Sequence, residues 1–202
     1  VKKQTIFLYL LLVSLLFPTC KKGEDDPLFS IRTRTNRISG DWELNSAKWQ
    51  FNDTITEFES GNLIRKVKDI AIDTVEYLYK MSFLKDGSYT INIESKFKQS
   101  HFYSGSPEFT LFVEEKGKWS FTGGYGDTKK GEYLLKVMET RTESFSNQGS
   151  NLSVINKVNP IEAELYYIKE LRFEKLVIGY NEESQHPDGL YIKSAEMSFT
   201  KL

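Results

Sequence analysis

Apolar and polar residues alternate with a period of two along much of this chain. In residues 77–83 the alternation places Tyr77, Tyr79, Met81 and Phe83 on one face, and in residues 89–97 it does the same for Tyr89, Ile91, Ile93 and Phe97. Successive side chains of a strand point to opposite faces, so each run predicts a strand with one buried side. Between them lies Lys85-Asp86-Gly87-Ser88, and Asp-Gly flanked by alternating runs is a strong hairpin signal. A second hairpin is expected where residues 109–113 meet residues 119–121 across Glu115-Lys116-Gly117-Lys118. Further strands read at 133–142, 164–173, 176–180 and 190–199. Residues 62–72 suit a turn or two of helix or a strand, while 99–107, 123–131, 144–156 and 181–189 read as loops by composition.

Short strands at regular spacing, with sequential hairpins, predict an all-β fold: a single up-and-down antiparallel β-barrel of about eight strands over residues 40–202. The chain of 202 residues is long enough for one domain with a substantial core. Cys20 is its one cysteine, so no disulfide forms within the chain.

The N-terminus has a different pattern. Lys2 and Lys3 precede an apolar run from Ile6 to Phe17, then Pro18-Thr19-Cys20 and the polar stretch Lys21-Lys22-Gly23-Glu24-Asp25-Asp26. The run is shorter than the ~20 residues that a helix needs to cross a bilayer. The order resembles that of a bacterial lipoprotein signal, in which residues 1–19 would be removed and Cys20 acylated; the rival reading is a plain secretory signal that leaves Cys20 a free thiol. Residues 20–39 then form the lipidated cysteine and a tether. Two or three acyl chains hold a protein stably on a membrane where one does not. The expected place is therefore the cell envelope, as an outer-membrane lipoprotein anchored through Cys20. Asp25-Asp26 behind the cysteine reads either as a surface-export signal or as a solvated tether. Residues 28–38 mix apolar and basic side chains and read as a lead-in packed on the base of the domain; Arg32, Arg34 and Arg37 could equally touch anionic lipid. A formal net charge of −1 argues against nucleic acid, which favours a basic face.

Several motifs in the body resemble lipocalin-like lipoproteins of Bacteroidetes. They are Gly40-Asp41-Trp42 at the head of the first strand, Phe83-Leu84-Lys85-Asp86-Gly87-Ser88-Tyr89, and Gly117-Lys118-Trp119-Ser120-Phe121. Ile168-Lys169-Glu170-Leu171 leading into Leu176-Val177-Ile178, and the closing Met197-Ser198-Phe199, complete the order. The resemblance implies an arginine from a late strand stacked on the Trp42 ring, for which Arg172 is one candidate. The Thr-Asp-Tyr motif of transport lipocalins is missing.

An eight-stranded barrel is just wide enough for packed side chains or one small ligand. If Trp42, Tyr79, Phe83, Tyr89, Ile91, Trp119, Phe121 and Tyr133 face inward, the lumen is apolar with hydroxyl tips and suits a small hydrophobic ligand. The same residues can fill the barrel instead, each contributing ~1.5–3 kcal/mol on burial. Recognition of an envelope protein or glycan would then fall to the rim. Catalytic chemistry finds little footing. His101 and His186 lie in separate expected loops, Gly-x-Ser-x-Gly is absent, and no cofactor motif is present. Glu182, Glu183, His186 and Asp188 share an expected loop, but acidic loops are ordinarily just solvated. The expectation is a non-enzymatic protein with no metal and no cofactor.

Overall fold

The computed structural model describes residues 32–97, 108–123, 132–147, 150–186 and 189–202, with side chains left aside at 147–161 and 186–190. The expected leader, Cys20 and the start of the expected tether lie outside these residues. A short helix α1 (Arg34–Ile38) precedes ten strands. These are β1 (Gly40–Phe51), β2 (Thr54–Glu59), β3 (Asn62–Val67), β4 (Ile70–Phe83), β5 (Ser88–Phe97), β6 (Phe109–Thr122), β7 (Tyr133–Asn147), β8 (Ser150–Leu171), β9 (Lys175–His186) and β10 (Gly189–Lys201). Each pairs antiparallel with its sequence neighbour, and β10 returns to β1, giving a closed up-and-down barrel.

Ten strands rather than eight come from one inserted hairpin. The start of β1, Gly40 to Glu43, pairs with Phe83 to Lys80 of β4, whereas its end, Ala47 to Phe51, pairs with β2. β3 takes the other half of β4. One end of the barrel thus has eight strands around it, and the other has ten. Barrel diameter grows with strand number, so the wall flares. The β3–β4 turn is Lys68-Asp69 with φ of 50° and 64°, and the β2–β3 turn is Ser60-Gly61 with φ of 50° and 80°. Both have the two left-handed residues of a tight hairpin turn. Lys-Asp carries little turn signal, which is why 62–72 is ambiguous as sequence.

The Asp86-Gly87 hairpin forms as expected: Asp86 accepts from the Ser88 backbone N–H at 2.8 Å and from its hydroxyl at 2.6 Å, and Gly87 has φ of 83°. Those bonds hold the Asp86 carboxyl below its usual range. The second expected hairpin does not exist. Glu115-Lys116-Gly117-Lys118 runs on inside β6, with a register shift at Lys116/Gly117. Gly117 serves packing rather than turning: a Cβ there would lie 2.0 Å from the Val137 carbonyl oxygen and 2.9 Å from the Tyr89 ring. Two expected loops are also strand. β7 and β8 reach Asn147 and Ser150, and β9 and β10 reach His186 and Gly189. Glu182 and Glu183 therefore point to opposite faces of β9 instead of sharing a loop. The expected loop at 99–107, with His101, and residues 124–131 lie outside the described residues.

The core sits inside the barrel at its eight-stranded end. Trp42, Phe83, Tyr89, Phe199, Leu176 and Leu134 are among its fully buried side chains. α1 plugs this end. Thr33 caps it, accepting from the Asn36 N–H at 3.2 Å, and Arg37 and Ile38 are buried. The lead-in thus packs on the base, and its arginines turn to protein: Arg37 donates to the Leu171 carbonyl, while Arg34 lies over Phe121 and Arg32 over Phe173.

Candidate functional site

The narrow end is locked around Trp42. Its indole N–H donates to the Ile38 carbonyl at 2.6 Å. Lys201 of β10 stacks on the ring at 5.1 Å and donates to the carbonyls of Arg37 at 2.9 Å and Ser39 at 2.5 Å. Burial, then the neighbouring Arg32 charge, lowers the Lys201 pKa. Arg172 is not the stacking residue; it lies in the β8–β9 turn and pairs with Glu170, two residues back in β8. Gly40 adopts φ of 125°, and a Cβ there would approach Lys201 Cε to 2.6 Å. A side chain at 40 would meet both backbone strain and the lysine.

Midway up the lumen lies a charged layer absent from the sequence-based expectation. The Tyr89 hydroxyl donates to Glu115 at 2.6 Å, and Lys136 Nζ lies 3.2 Å from the same Glu115 oxygen. Lys136 also donates to Glu164 at 2.8 Å, and Tyr166 donates to that carboxylate at 2.8 Å. The ammonium sits 5.1 Å from the Tyr89 ring and 5.6 Å from the Tyr166 ring. Lys136 is 4 % exposed and Glu115 11 %, but Glu164 is 51 % exposed. One carboxylate is sealed below, while the other faces the open part of the lumen. Burial pushes the phenols of Tyr79, Tyr89 and Tyr166 well above the usual tyrosine range, and the nearby carboxylates add to it. For Glu164, burial raises the pKa, yet the Lys136 charge and its hydrogen bonds outweigh this and leave it lowered. The signal for this layer was in the alternation: Lys136 falls between Leu134 and Met138, and Glu115 between Val113 and Gly117, each on a buried face.

Trp42, Phe83, Tyr89 and Ile91 lie inside and are fully buried, with Trp119 nearly so. Phe121 packs edge-on against Trp119 at 5.4 Å, and Tyr79 lies inside beside Phe199 at 5.7 Å. Tyr133 does not join them. It pairs with Thr122, and its neighbour Leu134 is the buried one, so Tyr133 lies on the outer face. The others form a filled lower half around the charged layer.

The wide half differs. Trp49, Tyr77 and Tyr180 remain only partly buried there. β8 pairs with β9 only from Tyr167 to Leu171, against Gly179 to Leu176. Beyond Tyr167 and Gly179 the two strands part, each holding only its other neighbour. Continuing the register would set Glu164 directly opposite Glu182. Like charges in a cross-strand pair destabilise it, which gives a local reason for the separation. Both carboxylates act on Tyr180, raising its pKa after the larger effect of burial. Lys193 lies 3.9 Å from Glu182 and over the Tyr180 ring at 5.1 Å.

The outer face carries ion pairs such as Lys80–Glu43, Lys116–Glu114 and Lys169–Glu196 at 3.4, 2.7 and 2.9 Å. A membrane-spanning barrel has an apolar band outside; here the apolar side is inside. Two grooves of about 360 and 280 Å³ share Leu78 and Glu94, which are on this charged outer face rather than in the lumen. Among the described residues, no cluster of His, Cys, Asp and Glu is arranged to hold a metal ion.

No protein-family model and no curated protein matches the chain. Among solved structures it is similar to Ail, the attachment invasion locus protein of Yersinia pestis, at 11 % identity and a TM-score of 0.27, over 81 % of this chain and 99 % of that one. A likeness of that size carries no argument about this chain.

Proposed function

We propose that this chain is a lipid-anchored cell-envelope protein, held by acylated Cys20, which recognises a protein or glycan partner through the wide end of a filled, lipocalin-like, non-enzymatic barrel. The observation that carries the reading is the parting of β8 from β9 above a packed and ion-paired lower half. A small hydrophobic ligand would need a dry apolar lumen, whereas Glu115, Lys136 and Glu164 cross it here. Strands β7 and β8 extend to Asn147 and Ser150 at the wide end, and exposed Phe51 and Ile70 lie there as well. Such projecting edges and apolar tips suit contact with another macromolecule.

The test is capture of a defined partner from envelope membranes by the full tethered chain. A variant whose β7–β8 hairpin is shortened by replacing residues 144–153 with an Asn-Gly turn, so that Glu143 still pairs with Val154, should lose that partner while keeping its melting temperature within a few degrees. A rise in melting temperature with fatty acids or retinoids, undiminished in the shortened variant, would instead establish the lumen as the binding site and overturn the reading.

A further inference from the structure

Resting on the partner reading above, the geometry points to strand addition: the cleft between β8 and β9 takes an extended, lysine- or arginine-bearing segment of a partner polypeptide. Two features select that occupant. The first is backbone chemistry. From residue 162 to 166 β8 is paired on its β7 side, and from 180 to 185 β9 is paired on its β10 side. Neither is paired with the other there. A sheet edge presents N–H and C=O groups in strand spacing, and an added strand meets them with its own backbone. The described part of β8 at the cleft is five residues long, enough for an ordinary strand partner.

The second feature is charge. Glu162, Glu164, Glu182 and Glu183 border the cleft, and all four are exposed. Lys136 engages Glu164 from below and Lys193 stands 3.9 Å from Glu182, so the border keeps an excess of negative charge. The same carboxylates that oppose β8–β9 closure would be screened by cationic side chains on the incoming strand. A glycan would satisfy neither row of backbone groups in register. A single inserted strand runs antiparallel to one edge and parallel to the other, because β8 and β9 are themselves antiparallel; antiparallel pairing with one edge is sufficient for binding.

The probe is a short peptide alternating Thr and Lys, added to the full chain in detergent, with amide exchange read at residues 162–166 and 181–185. Protection confined to these amides, on at least one of the two edges, is expected, together with binding that weakens as salt is raised. The same peptide N-methylated at alternate residues cannot make the edge hydrogen bonds and should bind about tenfold more weakly or worse. A Thr-Glu peptide should not bind, and Glu182→Gln with Glu183→Gln should weaken the Thr-Lys peptide several-fold without unfolding the barrel. Equal binding of the N-methylated peptide, or no binding of Thr-Lys, overturns strand addition. Protection of the same amides by dimerisation without peptide also overturns it, since a second copy then fills the cleft. Capture of a partner that depends on the β7–β8 hairpin, with no peptide binding, leaves the partner reading standing while strand addition falls.

Discussion

The two ends of this barrel are built from the same strands and behave as opposites. At the narrow end, eight strands close on α1, Trp42 is held by Ile38 and Lys201, and Tyr89 and Glu115 are sealed behind Lys136. At the wide end, ten strands surround the lumen and β8 leaves β9 where carboxylates would face each other. The lesson concerns where charge is placed. A carboxylate opposite a lysine inside the wall ties strands together, whereas two carboxylates in one register position hold strands apart.

Removing the tie should have the largest effect. Lys136→Met leaves Glu115 buried without its cation, a change that costs about 3–5 kcal/mol in buried ion pairs. Urea unfolding should show that loss, and Lys136→Met combined with Glu115→Gln should recover much of it. If the single variant is as stable as the parent, the charged layer does not hold the narrow half together.

Alkaline pH attacks the same layer by another route. Tyr89 and Tyr166 have folded-state pKa values raised above the unfolded value near 10. Their contribution is fully present below pH 10 and falls as pH rises, because only the unfolded chain releases those protons. The slope is about 1.4 kcal/mol per pH unit for each buried phenol. Absorbance titration should show these phenols ionising only as the protein unfolds. Two early, reversible steps assigned to Tyr89 and Tyr166 would show that the layer is open to water.

A smaller cost is expected from Gly40→Ala, about 1–3 kcal/mol for a non-glycine residue at φ of 125°. Repeating the substitution in a Lys201→Ala background separates the two causes, since truncation removes the Cε that a Cβ at 40 would meet and leaves the backbone strain. A variant as stable as the parent would mean that the start of β1 shifts freely, and the narrow end would not be the rigid partner in the comparison.

The sequence revealed most of the narrow end, because its cues are local. Period-two alternation placed Tyr79, Met81, Phe83, Tyr89 and Ile91 inside, and Asp86-Gly87 marked its hairpin. Errors arose where a residue type has two uses. Gly117 looked like a turn but makes room for Tyr89, and Lys68-Asp69 turns the chain without a glycine. Tyr133 is aromatic in an alternating run, yet the pairing with Thr122 puts Leu134 inside instead. The β8–β9 separation was illegible for a different reason. Glu164 and Glu182 are far apart in sequence, and only the register through Tyr167 and Gly179 brings them opposite.

That register supplies the smallest and most specific prediction. Glu182 is 69 % exposed and only 3.9 Å from Lys193, so its charge contributes little to overall stability. Glu182→Gln should therefore change the melting temperature hardly at all. It removes one of the two like charges, a cross-strand effect of roughly 0.2–1 kcal/mol. Such a value is trivial for a whole barrel but large for a local equilibrium between parted and paired strands. Amide exchange should slow at residues 163–165 and 181–183, where pairing would extend from Tyr167 and Gly179, and nowhere near Trp42. Slowing at both ends would mean global stabilisation rather than closure. No slowing at the cleft would show that Glu164 and Glu182 do not keep the strands apart, and the cause would then lie in the Ile168/Glu170 register shift at the base of the pairing.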